Sequence, residues 1–204
     1  MYVRDARNRE EVWLLDHIEA MGLDHRAFRS RDYVVAIDET TDTQAGFGRI
    51  RIHQDSGGDE CCELTSIGVL DGWRRQGVGA HIIERLIEYA GDAGFDTVYA
   101  LVPVPDYFAQ FGFTPIDDAS LPTPLVDRLA DKRKRHDDPV VPMRIAVDRF
   151  RMPERLRERF KLAGEQRAPP EPDREQDETA ALAEELGIDP DEATYKYDPA
   201  GSRR

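Results

Sequence analysis

The sequence predicts an α/β fold with a mixed β-sheet, and two observations lead to this prediction. Residues 33–70 contain three segments with strand-like patterns, separated by turn residues, as in an antiparallel meander. Residues 62–102 then have the order strand, helix, strand, and a crossover of this length makes the two strands parallel neighbours. The chain should therefore combine both kinds of strand pairing in one sheet.

The elements follow one another from the N-terminus. Residues 1–4 suit a short strand, and Asn8 followed by Glu11 fits a capping box that opens a helix. The inward stripe of this helix is expected to be Val12, Leu15, Ile18 and Met21. A second short helix is expected over residues 24–30.

The meander consists of strands over residues 33–39, 46–54 and 62–70, with a hairpin turn at residues 56–59. The long helix over residues 77–90 follows, because its apolar residues recur at helical spacing before Gly91 and Gly94. The fifth strand covers residues 95–102.

The remaining elements of the body are short. Pro103 and Pro105 end the fifth strand, and a short helix over residues 106–111 follows. A strand at residues 113–116, a helix over residues 121–136 and a last strand over residues 140–150 complete the series.

Composition divides the chain into two parts. Residues 1–150 carry the predicted elements and form the expected folded domain, whereas residues 151–204 are typical of an acidic, proline-containing linker and tail. Residues 167–177 have almost nothing to bury, and residues 178–186 suit a small helix.

Charge bears on partners and location. The 204 residues include 41 acidic and 28 basic side chains, and the net charge of -13 argues against nucleic-acid binding. Arginine outnumbers lysine among the basic residues, a bias that with the acid excess resembles proteins of halophilic microbes.

No apolar run suits a membrane span or a secretory signal, so a cytoplasmic protein without a membrane partner is expected. Histidines and cysteines lack metal-ligand spacing, so no metal is expected.

Residues 71–80, DGWRRQGVGA, carry the strongest chemical signal. They join an apolar strand to the start of the long helix, where glycines let the backbone approach a ligand and free N–H groups suit an anion. Arg74 and Arg75 strengthen this anion site, which best matches a diphosphate. Ile82 stands where a dinucleotide fingerprint needs glycine, and no Gly-Lys-Ser/Thr triplet is present, so neither of those nucleotide motifs applies.

These residues resemble the diphosphate loop of the GNAT superfamily of acyl-CoA-dependent N-acyltransferases, Arg/Gln-x-x-Gly-x-Gly/Ala. The aromatic segment YFAQFGF at residues 107–113 is also similar to the helix that ends in Gly-Phe in that family. The resemblance covers about residues 1–150 and implies the GNAT fold, with the fourth and fifth strands splayed apart. It also implies acetyl-CoA as co-substrate and a homodimer.

The resemblance assigns cofactor-binding residues position by position. The pantetheine arm is expected to pair with the backbone of Ile67, Gly68 and Val69, where an N–H polarises the thioester carbonyl. Phe108 is expected to pack against the arm. The diphosphate is expected on Arg74, Arg75, Gln76, Gly77, Val78, Gly79 and Ala80.

Two residues are candidates for catalysis. Glu63 matches a strand glutamate that takes the ammonium proton in many members of the family; strand parity places residues 63, 65, 67 and 69 on one side, and the alternative is an outward salt bridge. Phe108 stands at the usual position of the acid tyrosine and cannot donate a proton. Tyr107 lies about 100° further round the helix and is the other candidate; its alternative role is a packing aromatic.

Residues 121–147 are similar to the branch of the family related to N-acetylglutamate synthase, which implies an amino-acid acceptor. Arg49 and Arg51 are the candidates for binding its carboxylate, and the alternative is a solvated charged face. The predicted function is transfer of an acetyl group from acetyl-CoA to a primary amine of a small molecule or amino acid. The alternative function is an idle acyl-CoA-binding sensor or protein-interaction module.

Overall fold

The structure is a computed structural model that describes residues 1–135 and 137–163. Its strands are β1 (Tyr2–Asp5), β2 (Tyr33–Ile37), β3 (Gln44–Gln54), β4 (Glu60–Val69), β5 (Thr97–Val102), β6 (Thr114–Pro115) and β7 (Val141–Ala146). Its α-helices are α1 (Glu11–Ala20), α2 (Val78–Asp92), α3 (Pro105–Ala109), α4 (Thr123–Arg135) and α5 (Glu154–Ala163). The helices in these ranges are too short or too polar to cross a membrane.

The strands form a seven-stranded sheet in the order β1-β2-β3-β4-β5-β7-β6. β4 and β5 run parallel, and the other neighbouring pairs are antiparallel. The predicted mixed sheet, the meander of β2, β3 and β4, and the parallel pairing of β4 with β5 are therefore confirmed.

Helices cover the sheet on both faces. On one face the apolar side of α2 packs against alternate strand residues such as Val34, Leu64 and Val98. On the other face α1 packs against β2 and β3, and α4 packs near Cys61 and Leu101. Burying each large aliphatic side chain contributes about 1.5–3 kcal/mol, so packing against these layers stabilises the sheet.

The N-terminal helix differs from its prediction. Its cap lies one residue earlier, because the Arg7 N–H donates to Glu10 Oε2 at 2.7 Å. Val12 is 69% exposed, whereas Leu14 and Ile18 are fully buried. The predicted stripe through Val12 is therefore wrong, because an alternative stripe through Leu14, four residues before Ile18, faces the sheet.

The short helix predicted over residues 24–30 is also wrong. The segment is a loop that leads into a 3-10 turn at Ser30–Asp32. The buried guanidinium of Arg49 donates to the carbonyl oxygens of Asp24, Arg26 and Ala27, at 3.2, 3.0 and 3.3 Å. These bonds use the carbonyls that a helix would have paired with its own amides.

A β-bulge interrupts β4. Thr65 pairs with Arg49 and Gly68 with Phe47, so two residues of β4 oppose one residue of β3. The predicted parity of residues 63–69 is therefore wrong: residues 63, 65 and 68 share one face, whereas Ile67 and Val69 pack on the α2 side. On the other edge of β4, pairing with β5 ends at Leu64 and Ala100, and the two strands separate beyond that point.

Helix α5 follows the body predicted at residues 1–150 and packs against it through buried Leu156 and Phe160. Composition did not indicate this helix, because charged residues dominate its sequence. The division of the chain at residue 150 stays a prediction. The linker and helix predicted over residues 167–186 lie outside the described residues.

Candidate active site

A cavity of about 1280 Å³ opens where β4 and β5 separate. Residues 65–69 of one strand and 101–104 at the end of the other form its walls. His17 of α1 and Met21, which follows α1, line the cavity on one face of the sheet. Val78 and Ile83 of α2 line it on the other. The cavity therefore contacts residues from both faces of the sheet at the point where the two strands separate.

The glycine loop lies at the α2 end of this cavity. Gly77 precedes α2 with φ at +80°, a conformation that side chains disfavour, and a Cβ there would collide with the Leu156 carbonyl oxygen. The first intrahelical bond runs from the His81 N–H to the Gly77 oxygen at 3.1 Å, so the amides of Val78, Gly79 and Ala80 precede it. Such amides, with the positive end of the helix dipole, suit an anion.

The arginines of the loop differ in their contacts. Arg74 pairs with Asp71 at 3.0 Å, and its Nε donates to the Val69 oxygen at 3.4 Å. Arg75 is exposed and has φ at +62°. The Gln76 side chain donates to the Gly72 oxygen at 2.9 Å and so braces the turn. Arg75 is therefore the loop cation with the most freedom to meet a ligand.

The bulge lies in the wall of the cavity. Ser66 has φ at +50°, and its hydroxyl donates to the Asp24 oxygen at 2.8 Å, which holds the loop after α1 against β4. A Cβ at Gly68 would lie 2.7 Å from Phe47 and Met21 atoms. These contacts, both on the α1 side of the sheet, hold the backbone of residues 66–69 in place, as a preorganised donor to a carbonyl requires.

Glu63 is fully buried and is not among the residues that line the cavity. Its carboxylate accepts bonds from Arg128 Nε at 2.5 Å and from His53 Nε2 at 2.8 Å, and Lys132 Nζ lies 3.2 Å away. Burial raises the pKa of Glu63, but His53, Lys132 and Arg128 outweigh burial and hold it well below its ordinary range. The assignment of Glu63 as base stays a prediction, and these contacts make the carboxylate a weak proton acceptor.

Arg49 and Arg51 lie on the same face as Glu63. Arg49 is 1% exposed, so a solvated face is wrong for this residue; it binds loop carbonyls and its guanidinium carbon lies 5.3 Å from the centre of the Tyr33 ring. Arg51 Nη1 lies 3.7 Å from Asp24 Oδ2. Neither arginine lines the cavity, and carboxylate binding by them stays a prediction.

Tyr107 and Phe108 both line the cavity despite their different positions on α3. The Tyr107 hydroxyl would lie 3.1 Å from a Cβ at Gly79, so it is next to the first turn of α2. Burial raises the pKa of Tyr107, with Arg155 opposing, and the phenol is protonated at neutral pH. Phe108 packs edge-on against Phe113.

Sequence reasoning missed many of the cavity residues, and among them are Thr65, Lys132, Arg155 and Arg159. The Lys132 ammonium lies 3.3 Å from Thr65 Oγ1 and 3.2 Å from the Leu101 oxygen. The run KRKR looks like a solvated helix end, and only the position of α4 over the splay shows that Lys132 points inward. The two arginines lie at a spacing of four in ERLRERFKLA, a helical signal that was available.

Comparison with known proteins matches the chain to one family model and to several solved structures. The model of the Acetyltransferase (GNAT) family matches residues 2–113. N-acetylglutamate synthase from Neisseria gonorrhoeae, complexed with coenzyme A and N-acetyl-glutamate, aligns with TM-score 0.57 and 17% identity over 71% of this chain and 34% of its own. A Mycobacterium tuberculosis protein in complex with CoA aligns with TM-score 0.55 and 17% identity, and the alignment covers 72% of this chain and 99% of that protein.

A GNAT-family acetyltransferase from Staphylococcus aureus aligns with TM-score 0.51 and 12% identity over 71% of this chain and 98% of its own. At these identities the likeness concerns the fold. The chain spans about a third of the gonococcal enzyme that it resembles.

Proposed function

The chain belongs to the GNAT family of acetyltransferases, and on that premise we propose that it transfers an acetyl group from acetyl-CoA to the amine of a small amino acid. The observation that carries this proposal is the cavity between β4 and β5, which extends from the glycine loop to the residues of α1. A thioester bound at the bulge is then open to an amine that arrives from the opposite face of the sheet. Holding both reactants in this way is a major source of rate acceleration.

The cofactor end of the cavity is assigned to residues 74–80 and to the backbone of residues 67–69. Gly77 gives room to the α5 backbone and Gly79 to the Tyr107 hydroxyl, and the N–H groups of residues 78–80 at the α2 N-terminus are the proposed donors to phosphate oxygens. When bound, acetyl-CoA supplies an activated acyl group with a thiolate leaving group. The pinned backbone at the bulge donates to the thioester oxygen as charge develops there.

The acceptor class is proposed from the charges around the α1 end. Lys132 is the cation that lines this end, and the carboxylate in the lining, Asp71, lies beside the glycine loop and pairs with Arg74. The carboxylates of Asp24 and Glu63 lie next to this end among four basic side chains, so positive charges exceed negative ones by two; the basic residues are Arg49, Arg51, Arg128 and Lys132. A positive potential favours an amine that carries a carboxylate over a simple cationic amine.

Relatives that bind such ligands add support to this acceptor class. The gonococcal structure contains N-acetyl-glutamate, an acetylated amino acid, beside coenzyme A. The acceptor amine must lose a proton before attack, and in our proposal water beside Thr65 carries it away, because Glu63 is enclosed by its partners. Glu63 then acts as a positioning residue that holds Lys132 at the cavity.

Two observations favour the alternative function, an acyl-CoA-binding sensor. Phe108 cannot donate a proton at the position usual for the acid, and the Glu63 carboxylate is enclosed by three basic side chains. In our proposal solvent protonates the thiolate, so a missing phenol does not prevent turnover.

Release of free thiol from acetyl-CoA distinguishes the two functions. The assay uses the full chain and pairs each amino acid with the amine that lacks its carboxylate. We expect turnover with amino acids and a weaker rate with the matched amines. Binding of acetyl-CoA without release above background for any acceptor would support the sensor.

A further inference from the structure

A second basic element lies beside the glycine loop. Arg155 and Arg159, one helical turn apart on α5, line the same cavity as Arg74 and Arg75. The family model ends at residue 113, so α5 lies outside the segment that it matches. The two arginines therefore belong to a helix that the family assignment does not explain.

Helix α5 is held firmly at this position. Leu156 and Phe160 are each 6% exposed, and the Leu156 carbonyl oxygen contacts the site where a Gly77 side chain would be. The Phe160 ring stacks on His81 with ring centres 3.8 Å apart and an angle of 11° between planes. Arg157 pairs with Glu84 of α2 at 2.7 Å. These contacts fix which side of α5 faces the cavity.

The guanidinium groups on that side retain donors for a ligand. Arg155 Nη2 donates to Gln110 Oε1 at 2.6 Å, which orients the group and leaves its other N–H donors available. Arg159 is exposed, and within residues 1–135 and 137–163 it forms no hydrogen bond or ion pair. On a protein with net charge -13, this group of arginines is a local concentration of positive charge, which attracts an anionic ligand.

We propose that Arg155 and Arg159 bind phosphate oxygens of coenzyme A, so that α5 forms the second wall of the phosphate site. The inference rests on the proposed function and extends it to residues beyond the glycine loop. Coenzyme A carries a diphosphate and a 3′-phosphate, and the amides at the α2 N-terminus satisfy only part of that charge. The planar fork of arginine is well suited to the remaining oxygens.

The test is a calorimetric titration of the Arg155→Gln/Arg159→Gln double variant with coenzyme A and with 3′-dephospho-CoA. Both side chains are exposed, so the variant should fold, and its melting temperature checks this. Arg149→Gln/Lys161→Gln is the matched control, because it removes the same charge from exposed residues outside the cavity. We expect Kd for coenzyme A to rise at least about tenfold in the double variant and to change little in the control.

The two ligands identify the phosphate that is bound. A loss confined to coenzyme A assigns the arginines to the 3′-phosphate, and an equal loss for both ligands assigns them to the diphosphate. Unchanged Kd values in the double variant would overturn the inference while leaving the proposed function intact. A wild-type protein that binds neither ligand would instead overturn the proposed function.

Discussion

The carboxylate of Glu63 accepts hydrogen bonds from both Nε and Nη2 of Arg128, at 2.5 and 3.1 Å, across the space between β4 and α4. This buried ion pair joins the strand that carries the bulge to the helix that carries Lys132. The pair therefore links β4 to α4, whether or not Glu63 takes part in proton transfer.

Glu63→Gln should destabilise the fold at neutral pH by about 3 kcal/mol, because it leaves buried cations without their counter-ion. The folded-state pKa of Glu63 lies below its ordinary 4.5, so its charge stabilises the protein above that pH and the effect is lost on acidification. The difference between wild type and variant in urea unfolding should shrink as pH falls from about 5 to about 3. Glu60→Gln, at an exposed position of the same strand, is the control. A difference that stays constant with pH contradicts this account.

Gly77→Ala should abolish tight coenzyme A binding. It should also lower the free energy of unfolding more than replacement of a glycine that has open space around it. The added Cβ meets the backbone of α5, in addition to the strain of φ at +80°. Gly94→Ala provides the control, because Gly94 has φ at +87° with nothing within 4 Å of its Cβ position. Strain alone should cost about 1 kcal/mol or more in both variants. If the two variants have equal free energies of unfolding and Gly77→Ala binds coenzyme A as tightly as wild type, contact with α5 does not restrict residue 77.

Tyr107→Phe should raise KM for acetyl-CoA and leave kcat nearly unchanged. The hydroxyl lies next to Gly79, at the start of α2, where loss of one hydrogen bond corresponds to about a twofold to tenfold change in affinity. Steady-state kinetics with acetyl-CoA as the varied substrate measure both constants. A large fall in kcat with KM unchanged would instead identify Tyr107 as the acid.

Lys132→Gln should weaken the preference for acceptors that carry a carboxylate. The ratio of kcat/KM for an amino acid to that for its decarboxylated amine is expected to fall about tenfold, equivalent to about 1.4 kcal/mol. Lys134→Gln is the control on the same helix, because that side chain is 77% exposed. An unchanged ratio would remove Lys132 from acceptor recognition.

Local patterns were sufficient to predict the sheet order around β4 and β5 and the helix that follows the glycine loop. The bulge was not predictable from local patterns, because Ser66, which has a positive φ there, bonds to the Asp24 oxygen, 42 residues away in the chain. Helix α5 was missed for a related reason. Its charged sequence suggests solvent, and its burial depends on the bare surface that Gly77 offers. The contacts of Arg49 and Lys132 likewise involve loops and strands distant in sequence.

Calorimetric titration of the folded full chain with acetyl-CoA tests the central claim most directly, namely that the glycine loop and the separated strands form one acyl-CoA site. We predict saturable binding at one site, with a melting temperature that rises with ligand concentration because the ligand binds only the folded state. Absence of both heat and thermal shift, in protein that unfolds cooperatively, would contradict the account.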